Sequence, residues 1–387
     1  MPTDSVSLEA HSGAFLDPSR GLRRLPRSPR RPRPEAFYGR FDQLTLFYDC
    51  FRMPDGRVLL VGPPPYNLGK AIRQSQITSW PGGTLLKPRF YSSESVMITE
   101  LSGVAEAATT IRVALPDGQS FQLPIGANSV GRFAGRRVLF TMSKDNDLAW
   151  ITEWTRYHAK MQSADAVVFF DNGSSRYDPA EIAGAIQAGG IDLAAVHSWP
   201  YVYGAPDPAV RLNPFYTQFL QVGSMSVMLR RYGMAAFGLL NCDIDELAAT
   251  PEGTTIFDLA DQSKQGLIVM RGRYIEPIAD ASSPAQARTH RHYSHFLADP
   301  ARALSRPKKW ALQPTRPWVR NLAVHPYMHW IENRPWFSKE TPSGVFYRHF
   351  RAIHTNWKDQ RTETGHLASE ALLRDADFAD LVAREQF

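Results

Sequence analysis

The chain of 387 residues has only two cysteines, Cys50 and Cys242. That is too few for a disulfide framework and fits a reducing compartment. No run approaches the ~20 apolar residues of a membrane span, and the N-terminus lacks the apolar core of a signal peptide. No glycine-rich loop matches a known phosphate cradle, and no internal repeat is visible. Acidic residues are missing from one place in particular. Arg20, Arg23, Arg24, Arg27, Arg30, Arg31 and Arg33 stand in a stretch without a single Asp or Glu. The formal net charge of +6 comes from there: taking those seven from the 44 basic residues leaves 37 against 38 acidic ones. A near-neutral body argues against nucleic acid as a partner. Interleaved prolines exclude a regular helix, so residues 1–36 read as a solvated Arg/Pro-rich tail. A functional use for it is contact with an anionic membrane surface, at ~1 kcal/mol per basic residue near the lipid. The expected location is cytoplasmic, peripheral on the inner face of the plasma membrane through Arg20–Arg33.

What is present is an ordinary globular balance, 43% hydrophobic and 21% charged, in a chain long enough for two or three domains. Residues 37–135 read as a small antiparallel β domain. Short runs such as Arg57–Val61, Thr110–Ala114 and Ser120–Pro124 are separated by the turn signals Pro54-Asp55-Gly56 and Pro116-Asp117-Gly118. From about Arg136 strands alternate with helices. Strands are expected at Val138–Met142, Ala166–Phe170 and Leu193–Val196, with a helix carrying Leu148, Ile151, Thr155 and His158 on one face. A second helix is announced by Asp178 and Pro179, an N-cap followed by proline at the first helical position. This βαβ unit implies a parallel sheet. A single helix is expected from Asn213 to Gly233, and a terminal amphipathic helix over Leu367–Val382, within residues 361–387.

The apolar run Ala235–Leu240 leads into Asn241-Cys242-Asp243-Ile244-Asp245-Glu246. If the strand persists, Asp243 and Asp245 point the same way and present two carboxylates to one point. A hard divalent cation such as Mg²⁺ or Mn²⁺ resolves their repulsion. On its own, Asp-x-Asp is a common tripeptide. Two other strand ends add to it: Ser143-Lys144-Asp145-Asn146 and Asp171-Asn172. Ligands of open α/β sheets bind beyond the carboxyl ends of the strands, so the three ends together point to a nucleotide or phosphate-sugar site.

These residues resemble a family. Glu153, Trp154, Tyr157 and His158, then Asp171, Asn172 and Ser174, then Asp243-Ile244-Asp245-Glu246-Leu247 follow the successive motifs "E-W-x-x-Y-H", "Y-D-N-x-S" and "D-x-D-E-F". They are similar to the GT-A glycosyltransferases, in the branch that includes glycosyltransferase family 92 and its bacterial family 2-like relatives. Phe170 replaces the usual tyrosine and Leu247 the usual phenylalanine. The resemblance covers about residues 136–357 and leaves out the β domain and the Arg-rich segment.

The resemblance implies a GT-A fold, Rossmann-like with a mostly parallel sheet over residues 136–360. It also implies a nucleotide-diphosphate sugar donor, a UDP-sugar as first choice, and transfer with inversion to a glycan or glycolipid acceptor in surface polysaccharide assembly. Asp171 and Asn172 would meet the nucleoside and Lys144 the donor's charge, while Asp243 and Asp245 would meet the diphosphate through Mn²⁺ or Mg²⁺. For a further metal ligand His325 comes first, after the segment Lys308-Lys309-Trp310, and His349 second, with His329 and His354 close by. For the base that takes the acceptor proton, Glu276 comes first and Asp280 next; Glu246 would point away from the site. Trp310, Trp318, Trp330, Trp336 and Trp357 offer aromatic faces for an acceptor groove. The alternatives are a non-catalytic glycan-binding or scaffold protein built on a degenerate transferase, and a nucleotidyltransferase or phosphodiesterase using the same carboxylates.

Overall fold

The structure is a computed structural model that describes residues 5–280, 284, 287–355, 367 and 371–385. Its first region is antiparallel. Asp49–Arg52, Val58–Gly62, Met97–Leu101 and Pro88–Ser92 form one four-stranded sheet; Ser120–Pro124, Thr110–Ala114, Gln76–Trp80 and Thr84–Leu85 form another. The two expected turns close on Gly56 and Gly118, both at φ +86°, a conformation that glycine adopts without a Cβ penalty.

The main sheet uses Val6–Glu9 (β1), Arg137–Ser143 (β2), Ala166–Asp171 (β3), Leu193–Ser198 (β4), Gly238–Asn241 (β5), Glu246–Ala249 (β6), Leu267–Ile275 (β7), Leu304–Leu312 (β8) and Phe346–Phe350 (β9). Their order is β1-β4-β3-β2-β5-β8-β7-β9-β6, with Lys339–Glu340 added beside β7. The first five are parallel, each to the next, whereas β8 runs antiparallel to both β5 and β7. This is the expected Rossmann-like, mostly parallel α/β architecture. The longer helices are Leu148–Gln162 (α1), Pro179–Ala188 (α2), Phe219–Val227 (α3), Ile256–Gln262 (α4) and Ala376–Glu385 (α5). The Asp178 side chain caps α2 by accepting from the amides of Ala180 and Glu181, as the Asp-Pro pair predicts. The expected C-terminal helix starts later than Leu367: Leu372–Arg374 is a strand paired with His295–Leu297, and the helix is α5. Trp357 lies outside the described residues.

One face of the main sheet packs on α1 and α2, through Leu139, Val167, Trp154 and Ile182. The other face shares a core with the first region: Phe51, Leu59 and Ile98 cluster with Phe140, Val168 and Phe170. The Asp49–Arg52 sheet is therefore built onto the α/β sheet by a common apolar interior, and the second antiparallel sheet packs on it through Ile77, Ile111 and Leu123.

Two further sequence expectations differ from the structure. Residues 5–36, the described part of the expected 1–36 tail, are not free. Val6–Glu9 adds a parallel strand to the edge of β4, which a four-residue run gives no periodicity to reveal. Arg24 is fully buried and donates to the carbonyls of Pro64, Asp42 and Thr45 at 2.8–2.9 Å. Arg33 pairs with Asp207, and Arg27 with Glu94. The acids that balance these arginines come from distant sequence, so local composition could not show them. Replacing Arg24 with alanine orphans three carbonyls and is expected to lower stability by roughly 3 kcal/mol, read from the denaturant midpoint; Arg23→Ala, at an exposed position, leaves it unchanged.

Nor is Asn213–Gly233 a single helix. A 3₁₀ turn, Pro214–Thr217, precedes α3, and a π-helical turn, Met228–Tyr232, follows it. Two consecutive arginines must both be buried there. Arg230 donates to the carbonyls of Val319, Asn321 and Val324, while Arg231 pairs with Glu9 and Asp49. The widened turn gives both guanidinium groups inward directions.

Candidate functional site

The strand carrying the paired aspartates ends early. β5 stops at Asn241, and residues 243–245 make a turn before β6. Asp243 and Asp245 therefore do not line up as alternate strand residues would. The Asp243 carboxylate accepts from Lys309 Nζ at 2.6 Å, and Asp245 meets His349 Nε2 at 3.1 Å. Glu246, set aside by the strand argument, turns inward: the Asp243 amide donates to it at 2.9 Å, and Lys309 Nζ lies 3.0 Å away. Asp245, Glu246 and His349 bring one ligand atom each within 4.8 Å of one another. Asp243 is not in that group.

The electrostatics follow from burial. Burial pulls the Lys309 ammonium down, but Asp243 and Glu246 more than offset this and hold it well above its usual range. Burial raises the Glu246 carboxyl, which Lys309 opposes. Two carboxylates and an imidazole are a donor set that Mn²⁺ or Mg²⁺ accepts, and their spacing fits one ion. His349 is itself oriented by Ser305, whose hydroxyl lies 3.0 Å from Nδ1.

The motif helix α1 supplies the support. The Tyr157 hydroxyl donates to the Ala248 carbonyl at 2.9 Å, and the Ala248 amide donates to His158 Nε2 at 3.2 Å. Gln162 also donates to Ala248 and accepts from the Ile256 amide. From another side, His290 Nε2 donates to the Ile244 carbonyl at 2.8 Å, and the Phe350 amide donates to that of Asp245. The turn is thus fixed from three directions, and the residues of the first motif position β6 rather than reach a ligand. Burial lowers the His158 pKa from 6.5 to about 3, so His158 stays neutral in the fold but charges when unfolded. Stability should therefore fall as pH drops below about 6.5 and keep falling toward about 3. Unfolding free energies between pH 8 and 4 check this, and His158→Gln should give a shallower slope.

A cavity of about 620 Å³ opens at these carboxylates, within the roughly 300–1,000 Å³ of small-molecule sites. Ser143, Lys144, Asn146 and Asn172 line one side, at the carboxyl ends of β2 and β3, and Asp243, Asp245 and Glu246 another. The three strand ends read from sequence do converge. Asp171 stands just behind: it is buried, its carboxylate accepts from Ser174, and burial raises its pKa against those bonds. Asn172 donates to the carbonyls of Trp199 and Tyr201.

Four expected site residues lie elsewhere or play another part. His325 is buried in the Pro326–Ile331 ribbon, outside the cavity lining. Burial, with Arg230 nearby, lowers its pKa to about 4. The further ligand expected there is met by His349 instead, because β9 pairs with β6 and sets His349 opposite Glu246. Glu276 is fully buried beyond the end of β7, with Arg351 Nε at 3.5 Å, and does not line the cavity. Asp280 pairs with His295 at 2.9 Å, also outside it. Glu276→Gln is accordingly expected to lower stability by roughly 1–3 kcal/mol without changing kcat of the folded protein, a split that thermal melts and active-site-normalised rates resolve. Asp243, finally, faces Lys309 rather than the metal-capable trio. Sequence reasoning missed Lys309 and Tyr203 as lining residues and set Glu246 aside, whereas Trp330, one of the tryptophans expected to offer a ring face, does line the cavity. The acid directly after the second aspartate was the one available signal.

No family model matches the chain, and no curated protein matches it. Among solved structures, it overlaps the galactosyltransferase LgtC in complex with donor and acceptor sugar analogues at 14% identity, covering 48% of this chain and 60% of that one, with a TM-score of 0.24. It overlaps core-mannan synthase A of Aspergillus fumigatus, in a Mn/GDP form, at 11% identity, covering 50% and 57%, with a TM-score of 0.24. The chain thus spans about 60% of the length of these proteins, an overlap too small to carry their activities to it.

Proposed function

We propose that the chain is a metal-dependent glycosyltransferase of the GT-A type, in the branch with glycosyltransferase family 92. It would move a sugar from a nucleotide-diphosphate donor, a UDP-sugar first, to a glycan or glycolipid acceptor in surface polysaccharide assembly. The observation that carries this reading is the cation-capable trio Asp245, Glu246 and His349 at the mouth of a cavity walled by three strand carboxyl ends. The order of the motifs along the chain supports it.

Asp245, Glu246 and His349 would hold Mn²⁺ or Mg²⁺. When bound, the cation would neutralise charge growing on the leaving diphosphate. The protein's own residues do the rest. Lys309 fixes Asp243 and Glu246 and adds positive charge to the donor side of the cavity. Lys144, Asn146 and Asn172 offer polar groups to a nucleotide, and Tyr203 offers a ring face. Transfer with inversion needs a group to take the acceptor proton. Among the described lining residues that would not hold the cation, the choices are Asp243, His329 and His354, in place of Glu276 and Asp280. We further assign the protein to the cytoplasm, touching the inner membrane surface through the arginines of Arg20–Arg33 that remain exposed, Arg20, Arg23, Arg30 and Arg31.

The test is a donor panel: UDP-, GDP-, CMP- and TDP-sugars with Mn²⁺, assayed for nucleotide release. Release from one donor, lost on chelation, is the expected result. No release and no binding with any donor would remove the transferase reading and leave the non-catalytic one. The anomeric proton coupling of the first product decides between inversion and retention.

A further inference from the structure

Alternation along β8 gives it two working faces. Lys309 turns to the carboxylates. Its neighbours Lys308 and Trp310 face a second cavity of about 340 Å³, which shares Pro307, His329 and Trp330 with the first. The two cavities are thus neighbours across a common wall.

The second cavity has a one-sided charge. Lys308, Arg334 and Lys339 line it, and among the described residues no carboxylate does. None of the three has a carboxylate partner among the described residues; the Arg334 guanidinium donates from Nη1 to the Ile331 carbonyl at 3.0 Å. Three unpaired cations around one hollow repel each other, and an anion there relieves them through charge-assisted hydrogen bonds. The wall shared with the first cavity is aromatic. Trp330 stacks on Tyr327 with centroids 4.7 Å apart and planes 12° from parallel, and Trp330 remains 42% exposed. A ring fixed on one face and open on the other is a platform for a sugar ring. The platform lies between the cations and the carboxylate turn.

We propose that this second cavity is the acceptor subsite, and that it takes a saccharide bearing an anionic group, carboxylate or phosphate, with a sugar ring on Trp330. Calling it an acceptor subsite rests on the transferase reading; its preference for an anionic saccharide rests on the cavity alone. Such an acceptor presents its neutral end toward Asp245 and keeps its negative charge away from the donor's diphosphate, on the far side of Lys309.

Calorimetry on the full chain tests this with trigalacturonate, glucose 6-phosphate and neutral maltotriose, and separately with UDP plus Mn²⁺. Trigalacturonate or glucose 6-phosphate should bind at least roughly tenfold more tightly than maltotriose, and the better of the two identifies the anion. The double variant Lys308→Gln/Arg334→Gln should weaken that binding at least roughly tenfold and leave UDP binding unchanged. Lys339→Gln, at an exposed position, serves where the double variant is poorly folded, and should weaken binding in the same direction. Equal binding of maltotriose, no binding of either anion, or no effect of the variants overturns the proposal. Saccharide binding without any nucleotide binding would sink the transferase reading and leave this subsite in place; nucleotide binding without saccharide selectivity would do the reverse.

Discussion

Replacing Asp245 with alanine is expected to abolish transfer, by about a thousandfold in kcat/KM, while the protein stays folded. Asp245 lies on a turn, 17% exposed at its side chain, which pairs with His349. Its backbone carbonyl, which holds the Phe350 amide, is unaffected by the change. The lost effect is the cation's. A metal ion at a developing charge supplies roughly 4 kcal/mol, which is about three orders of magnitude in rate. Mn²⁺ affinity, followed by the loss of the free-ion paramagnetic resonance signal, should fall in the same variant. His349→Ala should weaken Mn²⁺ binding in parallel. An Asp245→Ala protein that keeps both its activity and its Mn²⁺ affinity would show that the cation is not held here.

The second large effect is expected at Lys309, and it is one of stability. Lys309 is buried between Asp243 and Glu246. Lys309→Met keeps much of the volume and removes the charge, leaving Glu246 buried beside two aspartates with no compensating cation. Breaking a buried pair by removing one partner costs about 3–5 kcal/mol, so the melting temperature should drop by several degrees. The distinctive readout is rescue. A divalent cation bound by Asp245, Glu246 and His349 replaces the missing charge, so added Mn²⁺ should raise the melting temperature of Lys309→Met more than that of the unaltered protein. Equal Mn²⁺ shifts in the two proteins would separate Lys309 from the metal-capable group.

Where periodicity and end signals are strong, the sequence reading meets the structure closely. Ala166–Asp171, Pro179–Ala188, Thr110–Ala114 and Ser120–Pro124 begin where their signals place them. The meeting of Lys144, Asn172 and Asp243 follows from the parallel order of β2, β3 and β5, which the βαβ pattern already implies. The parts not legible in the sequence depend on distant partners. Arg24 reads as solvated until Pro64, Asp42 and Thr45 fold around it. Asp243 and Glu246 could not be sorted without Lys309, which comes 63 to 66 residues later in the sequence and across the sheet. The turn at 243–245 reversed the expected directions because β5 ends at Asn241, one pleat sooner than the apolar run implies. His325 and His349 were indistinguishable by type, and only the pairing of β6 with β9, which sets Glu246 opposite His349, separates them.

The central claim is that the cavity holds a nucleoside diphosphate through a cation at Asp245, Glu246 and His349. Calorimetric titration of UDP, GDP, CDP and TDP into the full chain, with and without Mn²⁺, tests it most directly. The predicted result is tight binding of one nucleotide with Mn²⁺, lost on chelation and lost in His349→Ala. Binding that is indifferent to Mn²⁺, or no binding of any nucleotide under either condition, would contradict it.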